Sequence, residues 1–83
     1  MGEVKLPILD RTATGENIKR LMRLNHITVS QLQMNLGMAS ATNVYKWCRG
    51  EILPSADRLL HLALIFNCHI EDILVTEKER ENG

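Results

Sequence analysis

Between Ala41 and Arg49 the sequence carries two stripes of side chains at helical spacing. Val44, Trp47 and Cys48 stand at i, i+3 and i+4 and form an apolar face. Ala41, Thr42, Tyr45 and Lys46 are related by the same intervals and form the opposite face. The second stripe offers a methyl, a hydroxyl, a phenol and an ammonium from the N-terminal end and middle of one helix. A helix anchored on its apolar side and showing such groups on the other suits the major groove of double-stranded DNA. That groove admits a helix and presents hydrogen-bond donors, acceptors and thymine methyls on its base edges. Lys46 and Arg49 add cations for the phosphates that flank it. Thr28, which opens an earlier helical segment, leaves backbone N–H groups that can take a phosphate. The plainer alternatives are a solvent-facing ring for Tyr45 and a merely solvated side chain for Lys46. Trp47, the only tryptophan, is assigned to the core by its place on the Val44 stripe rather than to stacking on a base.

The charge distribution agrees with such a face. The chain of 83 residues has no formal net charge. From Arg11 to Gly50, however, it carries six bases against Glu16, a local excess of +5, and from Glu71 to Gly83 an excess of −3. A basic N-terminal half with an acidic tail fits a polyanion-binding face opposite a solvated end, or else accidental clustering on a solvated surface. Lys19, Arg20 and Arg23 read mainly as the polar side of an amphipathic helix, with one of them reaching a phosphate.

Five short helices are predicted to position these residues. Residues 1–13, which include Pro7, form an extended arm with one short strand. Thr14 is the expected N-cap of a first helix over 15–25, with Ile18, Leu21 and Met22 at helical spacing. Thr28 and Gln31 form a capping box for a second helix over 29–36, which Gly37 stops. Ser40 caps the third, 41–49, ended by Gly50. Ser55, after Pro54, caps the fourth over 56–66, with Asp57 favourable in its first turn. The fifth spans 70–75, with His69 as its cap. The acidic segment 76–83 has no apolar anchor and is expected to fray. The predicted core is Ile18, Leu21, Leu32, Leu36, Val44, Trp47, Leu59, Leu62, Ala63, Phe66, Ile73 and Leu74.

Other chemistry finds little support. Cys48 and Cys68 form no C-x-x-C pair and are expected to be buried small hydrophobes. No two of His26, His61 and His69 have metal-ligand spacing, so no metal or cofactor is expected. No nucleophile elbow, phosphate-binding loop or dinucleotide fingerprint is present, and Glu71-Asp72 suits a helix start better than acid–base work. Catalysis is not expected, and nothing marks a small-molecule ligand. The N-terminus lacks a secretory leader, and the longest nearly apolar stretch, Leu59–Phe66, is too short to span a membrane. A cytoplasmic location is the expectation.

The ordered series T-G-E-N-I-K-R-L-M, I-T-V-S-Q-L-Q-M-N-L-G-M, V-Y-K-W-C-R-G-E-I-L-P-S and L-L-H-L-A-L-I-F-N-C-H-I-E-D-I-L resembles the helix-turn-helix domain of phage-repressor/Cro (Xre-type) bacterial regulators. The resemblance covers about 14–75, and its most specific element is the run from Trp47 to Ser55. It implies a compact, all-α, five-helix lambda-repressor-like domain, here with the N-terminal arm, that binds operators as a homodimer. It makes 41–49 the recognition helix. Base contacts are implied for Ala41, Thr42, Tyr45 and Lys46, with Ser40 and Asn43 near the backbone or the groove edge. The sequence departs from the family pattern in three places: Ala39 adds a residue between Gly37 and Gly50, Gln33 stands where alanine is usual, and Cys48 where glutamate is common.

Two functions are weighed on this basis. One is a sequence-specific transcriptional regulator, a repressor, that reads the major groove with helix 41–49. The other is a protein-interaction module, an antitoxin or adaptor, that keeps the fold without specific DNA binding. The dimer interface is expected from helix 5 and the end of helix 4, through Ile70 and Val75.

Overall fold

The computed structural model describes residues 4–77. Five helices follow one another: α1 Arg11–Leu24, α2 Val29–Asn35, α3 Thr42–Cys48, α4 Ala56–Phe66 and α5 Ile70–Ile73. Among the described residues no strand forms. One antiparallel bridge joins Leu9 to Thr76.

Each helix contributes at least one side chain to a single core. Ile18, Leu32, Val44, Leu62 and Ile73, one from each of the five, are completely buried, and Leu21, Met22, Leu36, Trp47, Cys48 and Phe66 complete the cluster. Burial of apolar area of this kind is the main force holding so small a domain. Leu59 and Ala63, expected inside, pack against the cluster while only half-buried. Leu74 is also half-buried, because the chain leaves the helix there with extended backbone, so α5 stops at Ile73 and not at 75.

The first helix begins earlier than its sequence signal suggests. Asp10, not Thr14, is the N-cap: its carboxylate accepts from the Ala13 N–H at 2.9 Å. The reason lies across the molecule. Asp10 N–H donates to the Val75 carbonyl at 2.8 Å, which holds Asp10 extended, as a cap residue requires. Thr14 is buried instead, and its hydroxyl accepts from Val75 N–H at 3.0 Å. The same neighbourhood secures Thr76 and Glu77, expected to begin a frayed tail: Glu77 N–H donates to the Ile8 carbonyl at 2.9 Å. The extended arm is accordingly limited to residues before Arg11, and the strand expected within it reduces to one bridge. Residues 78–83 of the expected tail lie outside the described residues.

Two side chains tie helices together by satisfying carbonyls at helix ends, where no intrahelical donor remains. Asn17 donates from Nδ2 to the carbonyls of Asp72 and Ile73, at 2.7 and 2.9 Å, and locks α1 to the end of α5. Arg58 donates from Nη1 to the Leu36 carbonyl at 2.7 Å and locks α4 to the end of α2.

Candidate nucleic-acid interface

The third helix rests on the first. Gly15 makes this possible: a Cβ at that position would meet the carbonyl oxygens of Trp47 and Cys48 at 2.4 and 2.6 Å. With α1 backbone so close beneath the last turn of α3, Val44, Trp47 and Cys48 face down and are buried. The opposite side is left to solvent. Thr42, Asn43, Tyr45 and Arg49 are exposed, while Ala41 and Lys46 are half-buried.

The start of α3 lies one residue later than expected. Ala41 is the N-cap, and Ser40 stands just outside the helix, its hydroxyl accepting from Thr42 N–H at 3.4 Å and donating to the Thr42 hydroxyl at 3.2 Å. The two oxygens are thus presented together. The longer turn that delivers them is stitched by Gln33, whose amide Nε2 donates to the Met38 carbonyl at 3.1 Å. The Gln33 amide thereby fastens the turn that leads into Ala39 and Ser40.

Apart from Ala41, half-buried at the α3 N-cap, the expected contact residues fall into three groups. Ser40, Thr42 and Asn43 border a shallow polar depression together with Arg58, which reaches it from α4. No local signal marks Arg58, since it lies 22 residues from the Leu36 carbonyl that orients it. Lys46 and Arg49 lie at the other end of α3, beside Glu51, and Arg49 forms an ion pair with the Glu51 carboxylate. The hydrogen bond from Arg49, then the charges of Arg49 and Lys46, hold that carboxyl below its ordinary range. Arg11 joins this end of the molecule by donating to the Glu51 carbonyl at 3.3 Å. Arg49 is therefore partly neutralised, which the sequence reading did not anticipate.

The third group is Thr28 and Tyr45, which meet across a groove between α1, the α1–α2 turn and α3. The Thr28 hydroxyl accepts from Gln31 N–H at 3.1 Å, and the Gln31 side chain accepts from Thr28 N–H at 2.9 Å. This is the expected capping box, and it occupies the Thr28 and Gln31 N–H groups, two of the donors the sequence offered to a phosphate. The groove is walled by Lys19 and Arg23, one turn apart on α1. These two cations belong with α3 and not merely on the outer face of α1, a placement that required the packing of α1 against α3.

A family profile settles the class to which this arrangement belongs. The Cro/C1-type HTH DNA-binding domain matches residues 17–79, most of the chain. The chain belongs to the Cro/C1-type helix-turn-helix family. The family is a DNA-binding one and not a class of enzymes. Two solved structures have the same fold. The restriction-modification controller protein C.AhdI from Aeromonas hydrophila is 19% identical with a TM-score of 0.69, over 77% of this chain and 96% of that one. A hypothetical transcription factor, NHTF, from Neisseria is 15% identical with a TM-score of 0.71, over 99% of this chain and 95% of that one. Among curated proteins none matches the chain significantly. In the vocabulary of the family, α2 and α3 are the helix-turn-helix pair, and among the described residues the five-helix, all-α architecture expected from the sequence is the one observed. No helix among the described residues is long and apolar enough to cross a membrane.

Proposed function

We propose that this protein is a sequence-specific transcriptional regulator, a repressor, that reads the DNA major groove with α3 as a homodimer in the cytoplasm. The observation that carries the reading is the two-sided character of α3: Val44, Trp47 and Cys48 are buried, while Thr42 and Asn43 are exposed and Tyr45 is exposed at the groove edge. Thr42 offers a hydroxyl and a methyl to base edges, and Lys46, one turn on, reaches guanine O6 and N7. Ala41 offers a methyl to thymine, and Tyr45 a ring edge and phenol. Ser40 and Asn43 lie where the groove edge and sugar-phosphate backbone pass. Arg58, Lys19 and Arg23 supply phosphate contacts alongside Arg49, and Thr28 borders the same path.

A homodimer suits a recognition helix of seven residues, because two half-sites about 34 Å apart multiply the affinity of one. Ile70 and Val75, first assigned to the interface, are only half-buried. Leu60 and Leu64, one turn apart on α4, are 54% and 81% exposed and add an apolar strip for the partner copy.

A second reading, a protein-interaction module of the antitoxin or adaptor kind, is favoured by the Arg49–Glu51 ion pair, which lowers the positive charge at one end of α3. The deciding experiment selects binding sites from random duplexes and titrates the wild-type protein against selected and unselected DNA at several salt concentrations. Preference for the selected site supports the regulator. Equal binding to all sequences, or none, transfers the protein to the second reading.

A further inference from the structure

The groove beside Tyr45 has a character that phosphate contact does not explain. It is an open groove of about 340 Å³, near the lower end of the range of roughly 300–1,000 Å³ found for small-molecule sites. Met22, Ile27, Val29 and Cys48 line it with hydrocarbon and sulfur. Along its backbone a DNA strand offers such a surface only narrow deoxyribose C–H edges between phosphates, and the thymine methyls lie in the groove. At the rim stand Lys19 and Arg23, and no carboxylate is among the lining side chains. Neither cation forms a side-chain hydrogen bond or an ion pair among the described residues; the ion pair there is Arg49–Glu51. Burial pushes the Cys48 thiol up from its ordinary range, so at neutral pH it is an uncharged part of the wall and does not repel an anion.

An apolar floor beneath two unpaired cations is complementary to a molecule that is apolar over most of its body and anionic at one end. We propose that this groove binds a small amphipathic anion, an aromatic or branched apolar body bearing one carboxylate or sulfonate. The apolar body covers Met22, Ile27 and Val29, and the anionic end meets Arg23 and Lys19. Tyr45, 49% exposed, closes over the ligand from α3. Because Tyr45, Lys19 and Arg23 also belong to the DNA-facing surface, occupancy of the groove removes them from DNA. The ligand is thus an inducer that releases the operator, a consequence that rests on the regulator reading; the binding itself does not.

The probe is 2-naphthoate, titrated calorimetrically into the full chain without DNA. Its neutral analogue 2-naphthalenemethanol and inorganic phosphate serve as the two partial ligands. The naphthoate is expected to bind one per chain. The alcohol should bind about ten-fold more weakly through loss of one charge-assisted hydrogen bond, and phosphate should bind weakest. Arg23→Gln, at an exposed position, should weaken naphthoate about ten-fold while leaving the alcohol unchanged. Val29→Asp places a charge on the floor at the first position of α2, where an acid suits the helix, and should abolish both. Circular dichroism establishes that both variants fold. No binding of naphthoate to the folded wild type, equal affinity for acid and alcohol, or indifference to both substitutions would overturn the site. Saturating naphthoate should then lower the affinity for a selected duplex. If naphthoate binds and the duplex is retained with unchanged affinity, the inducer role is overturned. If the free protein binds no DNA at all, the regulator reading falls while the groove site stands.

Discussion

A Cβ on Gly15 would stand 2.4 Å from the carbonyl oxygen of Trp47, closer than those atoms can pack. Glycine in mid-helix ordinarily weakens it by up to about 1 kcal/mol relative to alanine. Here the propensity gain from Gly15→Ala is opposed by forced separation of α1 from α3. The expected outcome is net destabilisation, on the order of 1–3 kcal/mol as for other overpacked sites. Urea denaturation compares the variant with Glu16→Ala, an exposed neighbour on the same helix that should stay within about 0.5 kcal/mol of wild type. A Gly15→Ala protein as stable as that control would mean that the two helices are not in contact there.

Trp47 is 3% exposed and belongs to the core cluster. Trp47→Ala should cost roughly 3–5 kcal/mol, a large part of the stability of a domain of this size. Thermal melting followed by circular dichroism should show loss of the folded state at or near room temperature.

The Gln33 amide bridges the widened turn through the Met38 carbonyl. Gln33→Ala leaves that turn unfastened and should lower stability by about 1 kcal/mol, the net worth of one hydrogen bond. The same substitution combined with deletion of Ala39 should recover the loss, since the turn then needs no bridge. Denaturation midpoints of the single and combined variants test this coupling.

The Arg49–Glu51 ion pair makes an unusual forecast for DNA binding. Glu51→Gln frees the guanidinium, so affinity for random duplex should rise and the salt dependence steepen by about 0.9 per added phosphate contact. Arg49→Ala should matter more in the Glu51→Gln background than in wild type. Lys46→Ala should behave differently. If Lys46 reads guanine, it costs about 1–3 kcal/mol at the selected site and relaxes choice at that position. Fluorescence anisotropy on selected and random duplexes separates the two behaviours.

Burial raises the thiol of Cys48 in the folded protein. The unfolded chain therefore loses that proton first as pH rises, and the folded state loses relative stability from the ordinary thiol range upward. Cys68 is raised by burial and by Asp72 and contributes in the same direction. Melting temperatures measured from neutral pH upward should fall through that range. In a Cys48→Ala, Cys68→Ala protein, compared with itself at neutral pH, the decline should be shallower.

The five helices and the inward and outward stripes of α3 were legible in the sequence because they depend on neighbours three and four residues away. Periodicity alone oriented Val44, Trp47 and Tyr45, and the Thr28–Gln31 box marked the start of α2. Relations between distant segments were not legible. Thr14 has the right type for a cap, but the Val75 backbone claims its hydroxyl and at the same time holds Asp10 in the capping conformation. No local pattern marks Gly15, and only the approach of Trp47 gives it a purpose. Arg58 reached the edge of α3, and Lys19 and Arg23 walled a groove with Tyr45, through packing of segments far apart in the chain. Hydrophobic spacing determines which face of a helix turns inward. Which surface residues then become neighbours is decided by how the helices pack, because that places groups side by side with no regard for their separation in sequence.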